Sequence, residues 1–315
     1  MLKRFASYLR GYERYAIASP VLVIVETVCQ LIIPLLMAQI INEGILKEDM
    51  APIWRAGVLM VVVALCATFT GAVAAKCATN AAQGLGANLR RAEFERISSF
   101  SFADIDRFSS SSLITRMTND VTNIQNTSMI CLRILIRAVT MLVASMALTL
   151  SINPRLALVV LVILPVMAAA LAALMKICFP LFEKMQKALD HLNERVQENL
   201  VAVRVVKAYV REDREREKFI DANDGFTAAG LRAVLRMVAI QPVMMICMSA
   251  ATVLVLYFGG QMVLGLEMDL GYLQTVLDYI MQILMSIMMV GMAVLQLTRA
   301  QASIRRVFEV IDAQP

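Results

Sequence analysis

Six long apolar segments constrain the fold of this chain more than any other feature. They cover approximately residues 15–41, 53–75, 134–152, 156–177, 237–263 and 270–296. Each can cross about 30 Å of hydrocarbon, which takes about 20 residues of helix. Because lipid offers no hydrogen bonds to backbone amides, a helix is the economical conformation for each segment. The sequence therefore predicts an all-α, polytopic membrane protein with six transmembrane helices and long cytoplasmic extensions.

Composition supports this class, since 59% of the 315 residues are hydrophobic and the mean hydropathy is +0.68. Soluble domains rarely reach such values. The first apolar segment is too long for a cleavable signal sequence and lacks a small-residue cleavage site, so we expect no signal peptide. The six cysteines lie in or beside apolar segments without a CxxC motif. We expect packed, reduced thiols rather than disulfides or a metal site.

The distribution of basic residues predicts the orientation. Of 30 Lys and Arg residues, only Lys47, Arg55 and Arg155 lie in or next to the three short connections. The positive-inside rule then places both termini and both long connections in the cytoplasm, as in a multi-pass protein of the cell membrane. The net charge of +5 reflects this bias. We expect membrane lipid as a partner and no nucleic acid.

The second long connection is polar from residue 183 to residue 223 and contains no Gly or Pro. Its apolar positions repeat every seven residues, at Leu189, Val196, Val203 and Val210. This pattern is typical of a helix with one packed seam and one exposed face. Few helix breakers precede Gly225, so we expect the preceding helix to continue through this stretch. The polar region 183–236, folded into two arms, would extend about 40 Å beyond the membrane, which suggests levers that contact a cytoplasmic partner.

The first long connection, residues 79–131, is of similar size. Four consecutive serines at 109–112 predict a helix start, because Ser caps free amides. Arg116 and Asp120 follow, and we interpret them as exposed charges at the tip of the hairpin. As an alternative, they form a helix pair, since they lie one turn apart. Two hairpins at corresponding places suggest two equivalent contact points.

Two basic regions border the membrane. Residues 1–14 predict an interfacial helix on the inner leaflet, with a simple positive-inside anchor as an equal alternative. Arg133 and Arg137 lie one turn apart where the third apolar segment begins. We favour contact with lipid phosphates for both, and a water-filled vestibule is the alternative.

Polar and methionine residues inside the first and last apolar segments predict a substrate cavity. The candidates are Glu26, Gln30, Gln274, Asp278, Gln282, Met281, Met285 and Met288. Intramembrane carboxylates are functional suspects, and methionine adapts to varied ligands. We could place no Lys or Arg at the depth of Glu26 or Asp278, so an unpaired acid would suit lipophilic cations or amphipathic compounds. The alternatives are protonated, silent acids, acids hydrogen-bonded to neighbours such as Gln30 or Gln282, and methionines that merely fill the core.

Two motifs in the long connections resemble a known family. Residues 106–121, with the sequence DRFSSSSLITRMTNDV, look like the first intracellular loop of ATP-binding cassette (ABC) exporters, with Ser111 where the family usually has Gly. The second match comprises ENL at 198–200, VVKAY at 205–209, Glu212, Phe219 and Asn223. Residues 303–312 resemble the segment that leads into the nucleotide-binding domain of these exporters. The resemblance covers essentially the whole chain.

The resemblance implies a six-helix transmembrane domain that works as a homodimer or heterodimer. Residues 1–14 would form the elbow helix, 15–302 the bundle, and 303–315 the linker. Coupling helices near residues 111–119 and 211–217 would dock on the nucleotide-binding domain, which binds ATP and Mg²⁺. The coupling residues implied are Ser111, Leu113, Arg116, Asp120, Tyr209, Arg211, Glu212 and Arg214.

The chain contains no phosphate-binding G-x-x-x-x-G-K-[ST] motif, and its single histidine, His191, lies on a polar helix. We therefore expect no catalytic, cofactor or metal residues in this chain. The ATPase is either cut off or a separate subunit, and an end inside the family's linker favours a cut. The leading function is ATP-driven export. The alternatives are an ion-coupled secondary carrier that uses Glu26 and Asp278, and a membrane scaffold without transport.

Overall fold

The computed structural model describes residues 7–101, 104–105 and 108–313, except for the side chain of Arg299. Its helices are α1 (Glu13–Gln39), α2 (Met50–Ile97), α3 (Ser110–Thr115), α4 (Val121–Ile130), α5 (Ile136–Ile152), α6 (Pro154–Ala208), α7 (Glu212–Val238), α8 (Ile240–Leu264) and α9 (Leu270–Asp312). Wider π-helical turns extend α1 through Ile40–Ile45 and join α3, α4 and α5 at Arg116–Asp120 and Cys131–Leu135. Six continuous helical runs are long and apolar enough to cross a membrane. The prediction of an all-α protein with six spans is confirmed.

Short polar side chains set the helix starts. The Asp49 carboxylate accepts a hydrogen bond from the Ala51 amide at 2.9 Å, and the Asn153 side chain accepts one from the Arg155 amide at 2.9 Å. The Ser109 hydroxyl accepts a longer bond of 3.4 Å from the Ser112 amide. Such caps satisfy backbone donors that have no partner within the helix. The predicted helix start in the serine run is therefore present.

The second long connection differs from the expected continuous helix. The helix that enters it ends at Ala208, and a new one starts at Glu212. Val210 adopts a left-handed conformation with φ of 52°, and the Arg211 amide bonds back to the Val206 carbonyl at 3.0 Å. Three acidic residues, Glu212, Asp213 and Glu215, occupy the first turn of α7, where the helix dipole favours negative charge. The prediction of an unbroken helix was wrong at this turn.

The chain divides into two compact units. One contains the residues up to Leu158 and those from Val255 onward, and the other is Val159–Leu254. In the first unit α1 packs against α9, where the buried Tyr279 hydroxyl donates to the Leu31 carbonyl at 2.7 Å. The Thr275 hydroxyl donates to the Pro34 carbonyl at 2.9 Å. These long-range bonds hold the helices around the first candidate site.

The polar end of the first unit has its own core, which joins α2, α4 and the end of α9. Its buried members are Leu85, Leu89, Val121, Ile124, Val307, Phe308 and Ile311. A second cluster packs Phe108 and Leu113 against Val310. The first hairpin is thereby packed onto the last turns of α9, because apolar side chains there are removed from water.

Residues 1–6 of the expected N-terminal interfacial helix lie outside the described residues, as do Asp106 and Arg107 of the first motif. The described part of this segment packs on α2 and α9 within the first unit. The Tyr8 ring contacts the Phe308 ring edge-on, with centroids 5.9 Å apart. The Asn88 amide donates to the carbonyls of Tyr8 and Arg10 at 2.8 and 3.1 Å. The segment is thus attached to α2 and α9.

Candidate substrate pocket and coupling surfaces

A pocket of about 450 Å³ opens between α1, α2 and the start of α5. Its walls are Glu26, Gln30, Ile33, Ala64, Ala67, Thr68, Gly71, Ala72, Arg133 and Arg137. Small residues of α2 form one side, and long polar side chains of α1 and α5 form the other. The pocket is therefore a polar cavity within the region of membrane-spanning helices.

An ion pair lies in this pocket. Arg137 Nη1 is 3.1 Å from Glu26 Oε1, and Arg137 Nη2 donates to Gln30 Oε1 at 2.8 Å. Gln30 Nε2 in turn donates to Glu26 Oε1 at 3.4 Å. Glu26 is buried and Arg137 is partly buried. Because a buried charge is costly unless it is paired, this network stabilises both ions inside the membrane region.

Two expectations about these residues were wrong. Glu26 is not an unpaired acid, and Arg137 is directed at Glu26 rather than outward to lipid phosphates. Arg137 lies 15 residues before the end of α5 at Ile152, a distance of about 22 Å along the helix. It is thus deep enough for its long side chain to reach Glu26 on the neighbouring helix.

Gly71 makes room for the Glu26 carboxylate. A Cβ atom at this position would lie 2.9 Å from the carboxyl carbon and 3.0 Å from Oε1 of Glu26. Such approaches are too short for real contacts, so any larger residue would displace the acid. The other carboxylate oxygen, Oε2, is buried and has no hydrogen-bond partner among the described residues. The site therefore keeps one acceptor that the protein does not satisfy.

A second pocket of about 260 Å³ shares Arg137 with the first. Its other lining residues are Met141, Met281, Gln282, Met285, Ser286 and Met289. The structure thus brings together five predicted cavity residues at these two pockets: Glu26, Gln30, Met281, Gln282 and Met285. A charged region and a methionine-lined region meet at one guanidinium group.

The other three predicted cavity residues do not line these pockets. Gln274 is exposed and donates to Asp278 at 3.4 Å, and Met288 is partly buried elsewhere on α9. Sequence reasoning missed Met141 and Met289, and it did not assign the two arginines to the cavity. Arg133, Arg137 and Met141 recur every four residues, a spacing that places them on one helix face. This spacing in the sequence could have placed the two arginines and Met141 beside the same cavity.

The charged residues of the first predicted coupling tip make most of their contacts with other parts of the same chain. The Arg116 side chain is only 12% exposed, and its Nη1 lies 3.0 Å from Glu309 Oε2. The same nitrogen donates to the Arg306 carbonyl at 2.8 Å, and the guanidinium lies 5.2 Å from the Phe108 ring centroid. The interpretation of Arg116 as an exposed tip residue was therefore wrong. Its role in coupling stays a prediction.

Asp120 is also turned toward α9. Its side chain is 3% exposed and accepts hydrogen bonds from Arg306 Nε at 2.7 Å and from the Ser303 hydroxyl at 2.8 Å. The alternative of a pair with Arg116 on one helix is thus replaced by two separate contacts to α9. Burial raises the pKa of Asp120, but the bonds from Arg306 and Ser303 outweigh burial and hold that pKa below its usual range.

Glu93 lies in the same polar cluster and was not singled out from the sequence. It is fully buried, and neither carboxylate oxygen has a hydrogen-bond partner among the described residues. Burial, followed by the charge of Asp120, raises the pKa of Glu93 to about 7, although Arg116 and Arg90 act in the opposite direction. Glu93 follows the second apolar segment by 18 residues, so it lies on the polar extension of α2. Its carboxyl group titrates near neutral pH.

The second predicted coupling tip is open. Tyr209 is 76% exposed and Val210 is 81% exposed, and Arg211, Glu212 and Arg214 are exposed as well. Of the first tip, Ser111 is exposed but Leu113 is buried against Phe108 and Val310. The tip at 209–214 therefore exposes an aromatic ring and several charged side chains.

No group of three or more His, Cys, Asp or Glu side chains that could hold a metal ion occurs among the described residues. The two pockets and the polar cluster around Asp120 are built from arginine, carboxylate, amide and thioether groups.

Comparisons with known proteins identify the family. Residues 16–288 match the family described as ABC transporter transmembrane region. The chain is 31% identical over 99% of its length to YfiB of Bacillus subtilis, described as an uncharacterized ABC transporter ATP-binding protein, and covers 55% of it. It is 34% identical over 99% of its length to the ABC transporter ATP-binding protein Rv1273c of Mycobacterium tuberculosis, covering 53%. An ATP-dependent lipid A-core flippase of Albidiferax ferrireducens is 22% identical over 81% of this chain.

The chain spans about half the length of the curated relatives that it matches over nearly all of its own length. The family match covers most of the chain, and the six helical runs agree with it. The chain is a multi-pass membrane protein that belongs to the ABC transporter transmembrane region family.

Proposed function

We propose that this chain is the translocation domain of an ATP-driven exporter that moves amphipathic compounds, such as a lipid, a drug or a peptide, out of the cytoplasm or the inner leaflet. The observation that carries this proposal is the pair of pockets that share Arg137, one polar and one lined by methionine. A cavity with a polar part and an apolar part suits a molecule that also has a polar part and an apolar part.

The proposal includes partners outside this chain. A nucleotide-binding domain, in the same protein or a separate subunit, would bind ATP and Mg²⁺, and a second transmembrane half would complete the pathway. The names of the relatives include an ATP-binding function, and this chain covers about half of each. Both termini would be cytoplasmic in the cell membrane, on the charge argument given above.

The two hairpin tips would transmit the movement. The exposed tip around Tyr209 would dock on the ATPase, while the contacts of Arg116 and Asp120 make α3, α4 and the end of α9 move as one body. Such coupling fits a rigid-body switch between two packed states. The residues that carry it in the second hairpin are proposed to be Tyr209, Arg211, Glu212 and Arg214.

The Glu26–Arg137 ion pair counts against the secondary-carrier alternative. A proton-carrying acid has to break from its partner in every cycle, and here the partner lies 3.1 Å away inside the membrane region. A polar cavity of about 450 Å³ is likewise superfluous in a scaffold without transport. We therefore retain ATP-driven export as the proposal.

The test uses this chain together with the ATPase that energises it, reconstituted in proteoliposomes. We expect ATP-dependent movement of a fluorescent amphiphile across the bilayer, which a non-hydrolysable ATP analogue does not support. Transport that persists without ATP but collapses with the proton gradient would favour a secondary carrier and overturn the proposal.

A further inference from the structure

The net charge of the polar pocket indicates the sign of its ligand. Two guanidinium groups, Arg133 and Arg137, face the cavity together with one carboxylate, Glu26. Arg137 is neutralised by Glu26 at 3.1 Å. Arg133 has no ion-pair or hydrogen-bond partner for its side chain among the described residues. The pocket therefore carries an excess positive charge, the opposite of what the sequence suggested for Glu26 alone.

The local backbone supports a built site rather than a chance exposure of Arg133. The residue lies in the π-helical turn Cys131–Leu135, and such turns are frequent at functional sites. Arg133 and Arg137 both line the same cavity. A guanidinium group offers a planar fork of donors that matches carboxylate, phosphate and sulfate oxygens.

The adjoining methionine pocket supplies an apolar compartment. Met141, Met281, Met285 and Met289 surround about 260 Å³, and Arg137 forms part of its wall. Flexible thioether side chains adapt to a chain of variable shape. This volume lies below the roughly 300–1,000 Å³ that encloses a whole drug-sized ligand, so it suits one part of a molecule.

We propose that the two pockets together bind an anionic amphiphile, with its carboxylate, phosphate or sulfate headgroup on Arg133 and Arg137 and its alkyl chain among the methionines. Glu26 orients Arg137 and moderates the positive charge, so that the headgroup is held but can be released. This inference rests on the proposed export function and adds the substrate class to it.

The test is a binding measurement without ATP, made on this chain with its ATPase in nanodiscs of zwitterionic lipid. The probes are radiolabelled dodecyl phosphate and dodecyltrimethylammonium. We expect wild type to prefer dodecyl phosphate. Arg133→Gln should raise its Kd about tenfold or more, because a charge-assisted hydrogen bond is lost. Glu26→Gln should lower the Kd severalfold, because a negative charge leaves the site.

Arg155→Gln is the matched control, since Arg155 lies in a short connection and is mostly exposed beside Glu267. It should leave both Kd values unchanged. Met285→Ser tests the apolar compartment: it should weaken dodecyl phosphate but not inorganic phosphate. Where Arg133→Gln fails to give monodisperse protein, Arg133→Lys replaces it, and a Kd between wild type and background is expected because the charge stays but the fork is lost.

Two results would overturn the inference: equal binding of dodecyl phosphate by wild type and the Arg133 variant, or tighter binding of dodecyltrimethylammonium than of dodecyl phosphate. The binding assay requires no ATP hydrolysis, so its failure is distinguishable from failure of export. ATP-driven transport of neutral or cationic amphiphiles without anion preference would preserve the proposed function and remove this substrate class.

Discussion

Each of the two hairpin tips carries a motif that resembles the same family, but the tips have different surroundings. In the first tip, Arg116 and Asp120 are nearly buried and bind Glu309 and Arg306 of α9. In the second tip, Tyr209 and Val210 are 76% and 81% exposed, and the nearby ion pair between Lys207 and Glu212 is long, at 3.6 Å. Motifs of one family at both tips therefore do not imply the same surroundings. The first tip joins two parts of one chain through these contacts, and the second is exposed.

Because of this difference, we expect substitutions at the two tips to affect different properties, stability at the first and transport at the second. Changes at the first tip should lower the stability of the chain, because they remove contacts that join the hairpin to α9 and, at Asp120, leave a buried charge without its partner. Changes at the second tip should leave stability unchanged and reduce transport.

Arg306→Ala should have the largest effect. It leaves the buried Asp120 carboxylate with only the Ser303 hydroxyl. Because the Arg306 side chain is itself 47% exposed, we expect a loss of about 3 kcal/mol, the low end for breaking a buried ion pair. The measurement is the free energy of unfolding in mixed micelles at pH 7. Arg305→Ala, which removes an exposed neighbour, is the control and should change stability by less than about 0.5 kcal/mol. If both variants lowered the free energy of unfolding equally, the contact between Arg306 and Asp120 would not be what stabilises the first tip.

Glu93→Gln should stabilise the protein at high pH. The pKa of Glu93 rises from 4.5 to about 7 on folding, so the folded state holds a proton that the unfolded state has lost between these values. The wild-type free energy of unfolding therefore falls as pH rises from about 4.5 to about 7 and then stays level. At pH 8 the variant should be more stable by up to about 3 kcal/mol, and near pH 4 the gain should vanish.

The control for this pH dependence is Glu95→Gln, an exposed acid two residues further along α2. Its effect on the free energy of unfolding should be small, because the Glu95 side chain is exposed. A Glu93→Gln variant that is no more stable than wild type at pH 8 would show that the Glu93 carboxylate is compensated in the folded state. Substitution of Glu93 and of Glu95 by Gln would then have similar effects on the free energy of unfolding.

Arg116→Ala should have a smaller effect than Arg306→Ala. Its ion-pair partner, Glu309, is half-exposed and remains solvated after the substitution. The loss comes from the hydrogen bond to the Arg306 carbonyl and the contact with the Phe108 ring, together about 1–2 kcal/mol. Thermal unfolding of Arg116→Ala and Glu309→Gln checks this, since the latter removes only the half-exposed charge. A loss for Arg116→Ala as large as that for Arg306→Ala would contradict the ranking.

Much of the fold could be predicted from hydropathy. The backbone amides of six long apolar segments can form their hydrogen bonds inside a membrane only if each segment is a spanning helix. Local signals also predicted the helix start at the serine run. The turn at 209–211 was missed, because nothing in the residue type of Val210 announces a left-handed conformation. The pairings of Glu26 with Arg137 and of Asp120 with Arg306 were missed because they join residues 111 and 186 positions apart. The position of a residue along its own helix predicts its depth in the membrane, but it does not show which side chain of a neighbouring helix lies beside it.

The smallest effect on stability is expected at the second tip, where the effect on function should be large. Tyr209→Ala combined with Arg211→Glu and Arg214→Glu removes an exposed ring and reverses two exposed charges, so unfolding should change by less than about 0.5 kcal/mol. ATP-driven transport should nevertheless fall about tenfold or more, because aromatic and arginine residues dominate binding at protein interfaces.

The matched control for this variant is Arg204→Glu, which reverses an exposed charge on α6 before the turn. It should leave both stability and transport near wild-type values, since Arg204 lies outside the segment expected to dock. Transport and ATP hydrolysis are measured together in proteoliposomes, so that their ratio reports coupling. If the triple variant moves as much substrate per ATP as wild type, the exposed turn is not the docking surface. The exposed face of the first hairpin, at Ser111 and Ile114, then becomes the remaining candidate among the described tip residues.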